Sequence, residues 1–363
     1  MYAGGDFHRA TDSSRSRTYV RHNLMAFNAV TGRISKEFRP DVNGPVWAIA
    51  ARRGSLFIAG KFTRVNGVRQ HAVAKISKRT GALDRRFSSP FTTGKATDIR
   101  LVRDHLVVAG TFTRKLTSIN RITGNVDGWL RMRIRGSVSP KAGPTAVYRF
   151  SVTPQETRLV AIGNFTSVNG EARSRAFMVR LSPATRPVLS PWFYPPLTHL
   201  CHDEKVPDYL RGVDFSPDGS YFVLVASGYV PATPDRVGSD VCDAAARFST
   251  RVVHPSAPVW INYTGGDTLH SVAVTDKAVY VQGHMRWLNN PRGKDSAGPG
   301  AVARPGIGAI DPATGKALPW NPGKTRGIGG KVLYVKPGGL WVGSDGARLA
   351  GEYHNNIAFL PVK

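Results

Sequence analysis

The sequence predicts an all-β chain built as a seven-bladed β-propeller with four-stranded antiparallel blades, and three observations predict it. One apolar-Gly pattern recurs along the whole chain. A Thr-Gly turn recurs with an aromatic a few residues after it. Helical periodicity is scarce among 38 Gly and 25 Pro. The first pattern is an apolar run ending in Gly, often with Phe next: YAGGDF (2–7), FIAGKF (57–62), VVAGTF (107–112), VAIGNF (160–165), FVLVASGY (222–229), YVQGHM (280–285) and LWVGSD (340–345).

The other elements follow in order. Two copies continue as FTRVNG (62–67) and FTSVNG (165–170), where Asn-Gly fits a tight turn of positive φ. A second apolar run comes next: NLMAFNAVTG (23–32), AVAKISKRTG (72–81), LTSINRITG (116–124), AFMVRLSPAT (176–185), AAARFST (244–250), GIGAIDPATG (306–315) and NIAFLPV (356–362). An outer aromatic trails it: Phe38, Phe87, Trp129, Trp192, Trp260 and Trp320. Then comes an inner run: PVWAIAA (45–51), ATDIRLV (96–102), TAVYRFSV (145–152), LRGVDFS (210–216), LHSVAVT (269–275) and GKVLYV (330–335). The Gly-Phe run outnumbers the inner run by one. Residues 1–363 are therefore read as a single propeller domain in which blade one lacks its inner strand and blade seven its outer strand. Both are expected upstream of Met1.

The stretch AIDPATGKALPW (309–320) is similar to the tryptophan-docking motif of quinoprotein dehydrogenases, with Ala309, Asp311, Thr314, Gly315 and Lys316 matching and Trp320 one residue late. That motif locks neighbouring blades and touches no cofactor. The same spacing recurs at Thr31-Gly32, Thr80-Gly81 and Thr123-Gly124, so packing explains every copy. The segments 57–87 and 161–185 resemble the delta-sixty propeller repeat of exported actinobacterial proteins. The resemblance covers nearly the whole chain and is weakest in blades five and six. It implies a secreted or cell-surface seven-bladed propeller, often joined to other extracellular modules. It implies no defined activity and carries over no catalytic residues.

The formal charge is +26, and residues 1–180 hold 32 Lys/Arg against 10 Asp/Glu. Such a field attracts anionic polysaccharide, wall polymer, acidic lipid or nucleic acid. No run of five consecutive basic residues forms a tail or localisation signal. The two cysteines, Cys201 and Cys242, are expected to form one bridge in an exported protein, contributing about 3–4 kcal/mol by chain entropy. No apolar stretch approaches the roughly 20 residues of a transmembrane helix, and a signal peptide is presumed upstream of this chain.

Candidate chemistry is sparse. HLCHDEKVPD (199–208) offers His199, His202, Asp203, Glu204 and Asp208, but matches no metal-site spacing, so no metal is expected. There is no GxSxG and no P-loop, and TRGIGGK (325–331) precedes a strand rather than a helix. No catalytic residue and no cofactor is assigned. In LRMRIRG (130–136), Leu130, Met132 and Ile134 alternate with a basic rim of Arg131, Arg133 and Arg135. That rim suits a polyanion, or an edge strand protected by charge. It lacks the interleaved aromatics of a nucleic-acid binder, so no specific nucleic acid is expected.

Propellers bind ligands where inner strands begin. Aligning these strands brings Trp47, Thr97, Tyr148, Arg211, His270 and Lys331 into one column that varies from blade to blade. Insertions at 190–209, 229–243 and 286–305 carry Phe193, Tyr194 and Trp287 as candidate recognition aromatics. The functional expectation is a non-catalytic, lectin-like extracellular binding or scaffold propeller. Its partner is a glycan, an anionic wall polymer or another secreted protein. The alternatives are a quinoprotein-like or other propeller enzyme (oxidoreductase, lyase or hydrolase) and a structural module of a secreted assembly.

Overall fold

The computed structural model describes every residue except 183–184, 203–205, 355 and 362–363. The chain is all-β, with antiparallel sheets and only short 3₁₀ turns. It divides into two compact units: Met1–Ile134 with Ala146–Tyr148, and Arg135–Thr145 with Arg149–Lys363.

In the first unit Tyr2–Gly4 pairs with Leu24–Ala26. A three-stranded sheet follows, Val46–Arg52, Ser55–Gly60 and Val73–Ser77. The next has four strands: Ala96–Val102, His105–Gly110, Leu116–Asn120 and Val126–Arg131. The inner strands of these last two sheets lie side by side. The second unit continues the pattern. Ala146–Val152, whose first residues group with the first unit, leads a sheet with Arg158–Asn164, Ala176–Arg180 and Val188–Leu189. Leu210–Phe215, Tyr221–Ala226, Ala244–Ser249 and Trp260–Tyr263 form the next. Two three-stranded sheets follow: Leu269–Val274, Val279–Gly283 and Ile307–Ile310, then Gly330–Lys336, Gly339–Ser344 and Ile357–Pro361. Here Leu210–Phe215 lies beside Leu269–Val274, and that strand beside Gly330–Lys336.

Four strands per sheet holds only in part. In the first, second and sixth repeats the outer strand shrinks to single bridges, Phe27–Ile34, Ile76–Leu83 and Ile310–Ala317. Pro40, Pro90, Pro319 and Pro322 punctuate those outer segments and cannot donate to a ladder. The third repeat, NVDGWLRMR, has no proline and forms a full outer strand.

The outer aromatics pack between successive sheets of one unit. Phe38 joins Leu24 and Ala26 to Val46, Leu56 and Ile58. Phe87 joins Phe57 and Val73 to Ala96 and Leu106. Trp192 joins Val160 and Met178 to Phe222 and Phe248. Trp260 joins Tyr221 to Leu269 and Val279. The Thr-Gly turn is the receiving surface. Trp260 donates its indole N–H to Pro312 O at 2.8 Å, and a Cβ on Gly315 would lie 2.5 Å from the Trp260 ring. AIDPATGKALPW is thus a docking turn, built on Asp311 Oδ1 accepting from the Ala313 and Thr314 amides. Trp129 departs from the pattern: it is half-buried and stacks on His105 at 4.3 Å.

Between second and third strands most repeats insert a small hairpin. Asn66-Gly67 (φ 51° and 76°) and Asn169-Gly170 (φ 55° and 94°) turn two of them, both residues left-handed as a two-residue hairpin requires. A third copy places Ala350 at φ 53° before Gly351. Alanine is strained there and asparagine is not. Ala350→Asn is expected to stabilise the protein by roughly 0.5–1 kcal/mol. An unchanged or lower unfolding midpoint in denaturant would count against this account.

After four of these hairpins a buried side chain ties the hairpin to the outer segment. Arg21, Arg173 and Arg304 each donate Nη1 to the preceding carbonyl and Nη2 to a carbonyl of the outer segment: Ser35 (2.8 Å), Ser190 (3.2 Å) and Leu318 (2.5 Å). Gln70 does the same work with Phe87 O. This latch was not legible as a motif, because only the charge-rich composition shows at sequence level.

Candidate functional site

The aligned inner-strand column has a backbone basis. In five inner strands the pairing register slips at the second residue. The ladder runs Val46–Gly60 then Ala48–Ala59, Ala96–Gly110 then Asp98–Ala109, Leu210–Ala226 then Gly212–Val225, Leu269–Gly283 then Ser271–Gln282, and Gly330–Ser344 then Val332–Gly343. The extra residue in each bulge is Trp47, Thr97, Arg211, His270 or Lys331. Bulges leave one residue out of the ladder and redirect its side chain. The backbone irregularity repeats while the residue type does not.

In the first unit Trp47 is half-buried with Lys95 Nζ 5.3 Å from its ring centre, and Thr97 Oγ1 donates to Val147 O at 2.7 Å, next to half-buried Tyr148. In the second unit Arg211 and Lys331 bring positive charge to the His270 ring. Arg211 lies over the Tyr209 ring at 3.8 Å, His284 stands 5.9 Å from His270 between ring centres, and Lys331 is exposed. Burial, with the charges of Arg211, Lys331 and His284, lowers the His270 pKa to about 3. Its Nε2 faces Ile328 O at 3.2 Å, and Gly329 packs flat against the ring, where a Cβ would lie 2.3 Å from Cδ2.

The insertion aromatics divide. Tyr194 is a correction: it is fully buried, donates its hydroxyl to Ser239 O at 2.7 Å and packs on Phe248, so it presents nothing to a ligand. The apolar sheet edge beneath the insertion captures it. Phe193 and Trp287 are half-buried, each near a guanidinium, Arg173 at 5.6 Å and Arg286 at 4.5 Å. The basic rim alternates as expected. Leu130, Met132 and Ile134 are buried, and Arg131 and Arg133 in the first unit and Arg135 in the second are exposed. It is not one strand, because the outer strand ends at Arg131 and Ile134–Arg135 pairs elsewhere.

The Cys201–Cys242 bridge is present, spanning 41 residues with Cα atoms 5.6 Å apart. Among the polar residues beside Cys201, Asp203 and Glu204 lie outside the described residues. Asp208 is no metal ligand: it is buried, takes both Nη atoms of buried Arg175 at 2.8 and 2.9 Å, and accepts from the Cys201 amide. His199 faces Asp240 at 3.4 Å. Among the described residues no group of three or more His, Cys, Asp or Glu is placed to hold a metal. No helix among them is long and apolar enough to cross a membrane.

Asp243, also buried, accepts from Thr268 Oγ1 and the Tyr229 amide. Burial pushes its pKa up to about 8, with Asp267 and Asp208 adding repulsion and the two hydrogen bonds opposing. A carboxyl raised in the fold favours folding below its unfolded value and loses that contribution as pH rises. Stability should therefore fall between about pH 4 and about pH 8 on this group's account. Asp243→Asn should flatten that slope in denaturant titrations. An unchanged slope would place the charged form in the fold.

No protein-family model and no curated protein matches the chain. Solved structures do match, and these neighbours are β-propeller proteins. Hydrazine synthase of Kuenenia stuttgartiensis is 12% identical, with TM-score 0.50 over 99% of this chain and 96% of that one. The computationally designed Ika8 protein is 12% identical, TM-score 0.50, over 99% and 98%. A provisionally assigned 6-phosphogluconolactonase of Bacteroides uniformis is 12% identical, TM-score 0.50, over 94% and 87%. The chain has a β-propeller fold. At this identity the likeness speaks for the fold alone, and the propeller hosts many unrelated functions.

Proposed function

We propose that the chain is a non-catalytic binding propeller outside the cytoplasm, and that its ligand is anionic: a charged glycan or cell-wall polymer. The observation that carries this is the repeated bulge. A recurrent backbone device sets out side chains that differ from repeat to repeat, and in the second unit three of them, Arg211, His270 and Lys331, are cationic or polar neighbours. The +26 charge supports an anionic partner, and the disulfide supports export. Seven blades and kinship with the delta-sixty repeat belong to the same reading. So does a place in a larger secreted assembly.

The enzyme alternatives draw little support. The groups pressing on His270 are all cationic, and a ring held neutral down to about pH 3 is a weak base. The quinoprotein-like stretch is occupied with docking Trp260.

The test is a screen of disulfide-intact protein on anionic glycans and wall polymers at about 0.15 M and about 0.5 M salt. Binding should persist at the higher salt, and Lys331→Ala should weaken it about tenfold, or 1.4 kcal/mol. A bound anion should also raise the protonation of His270 in NMR titration. Binding that vanishes with salt, or that ignores Lys331→Ala, would remove this site from the account.

A further inference from the structure

The first repeat holds an open pocket apart from the bulge residues of the second unit. About 520 Å³ in volume, it is lined by Thr18, Tyr19, Arg21, His22, Arg39 and Asp41, among others, all in the first unit. Its floor is the latch arginine. Arg21 is 7% exposed, yet among the described residues its guanidinium meets only two carbonyls, Val20 O at 2.7 Å and Ser35 O at 2.8 Å. Among those residues Nε has no partner, and Tyr19 lies 5.3 Å away from ring centre to Cζ. Burial and the nearby Arg39 both press against the charge. The Asp41 carboxylate is taken by His22 Nδ1 at 2.7 Å.

The fourth repeat shows what such a latch accepts. Arg173 stands in the same place, two residues before a left-handed residue (Arg175, φ 61°; Asn23, φ 64° in the first repeat), with the same pair of carbonyls. There Glu171 supplies a carboxylate to Arg173 Nη2 at 2.8 Å. The position equivalent to Glu171 in the first repeat is Tyr19, an aromatic at the cavity wall. The first repeat thus holds the buried cation without an internal carboxylate, as the sixth does at Arg304, and has a pocket beside it.

We propose that this cavity binds a carboxylated sugar, a uronate. Its carboxylate takes the place at Arg21 and Arg39 that Glu171 takes at Arg173, and its ring lies on Tyr19. Charge-assisted bonds to a desolvated guanidinium provide strength, and the aromatic face selects a ring over a free acid. The site is independent of the bulge set in the second unit.

The probe is trigalacturonate, titrated by calorimetry into disulfide-intact protein at about 0.15 M salt. One saturable site is expected, with Arg39→Ala and Tyr19→Ala each weakening it about tenfold or more. Lys331→Ala should leave it unchanged, which separates this site from the one proposed above. Neutral trigalactose should not bind, and glycerol 3-phosphate should not displace the probe. Arg21→Met should abolish binding. Because it also cuts the latch, its melting temperature is read alongside, and the deciding variants are those at Arg39 and Tyr19. No saturable binding, binding indifferent to both variants, or displacement by glycerol 3-phosphate would overturn the proposal.

Discussion

Gly315→Ala is expected to destabilise the protein by roughly 2–5 kcal/mol. Two effects add. The residue sits at φ 71°, where any Cβ costs about 1–2 kcal/mol. The new methyl would also lie 2.5 Å from the Trp260 ring, a clash of the kind that costs about 1–3 kcal/mol in a packed core. Trp260 cannot simply retreat, because its indole N–H is held by Pro312 O and its ring fills the interface with Tyr221, Leu269 and Val279. The pairing with Trp260 makes the effect diagnostic. In a Trp260→Leu background the same alanine should cost about 1–2 kcal/mol, the backbone share alone. Equal losses in both backgrounds would show that the turn does not serve as a docking surface.

Asp208→Asn should cost about 3–5 kcal/mol, the penalty for leaving a buried guanidinium without its carboxylate. Arg175 and Asp208 have side chains 3% and 1% exposed and are joined by two bonds. Burial raises the Asp208 pKa against the pull of Arg175, so the pair holds its charge at the cost of desolvation. Asparagine retains the volume and one acceptor, yet cannot answer the charge or satisfy both Nη atoms and the Cys201 amide together. Removing both charges at once, with Arg175→Met and Asp208→Leu in the same chain, should be milder than the single change. If the single change proved mild and the double one severe, the pair would be stabilising through its shape rather than its charge balance.

The sequence made the repeat, its aromatic docking and the disulfide readable, because each is a local pattern with one structural solution. Trp192 and Trp260 could be assigned to the interfaces from spacing alone, and both are buried there. Other features depend on partners far along the chain. Asp208 looked like one of several polar loop residues until the fold brought Arg175 against it from 33 positions away. Tyr194 belonged to an aromatic, proline-rich insertion, and only the edge formed by Phe248 turned it inward. The column of inner-strand residues was found by alignment, yet its cause, a register slip, leaves no mark on composition. The shrunken outer strands carry prolines, Pro40 and Pro319 among them, that cannot donate to a ladder.

The repeated bulge has a consequence for how such a protein changes over generations. A residue outside the ladder contributes little to strand pairing, so replacing it disturbs folding little. Trp47, Thr97, Arg211, His270 and Lys331 are already five different answers on one frame. The side chains set out there can therefore change by single substitutions, without compensating changes in the core. Duplicated copies of this chain would diverge first at these positions, and a library randomised there should yield mostly folded proteins.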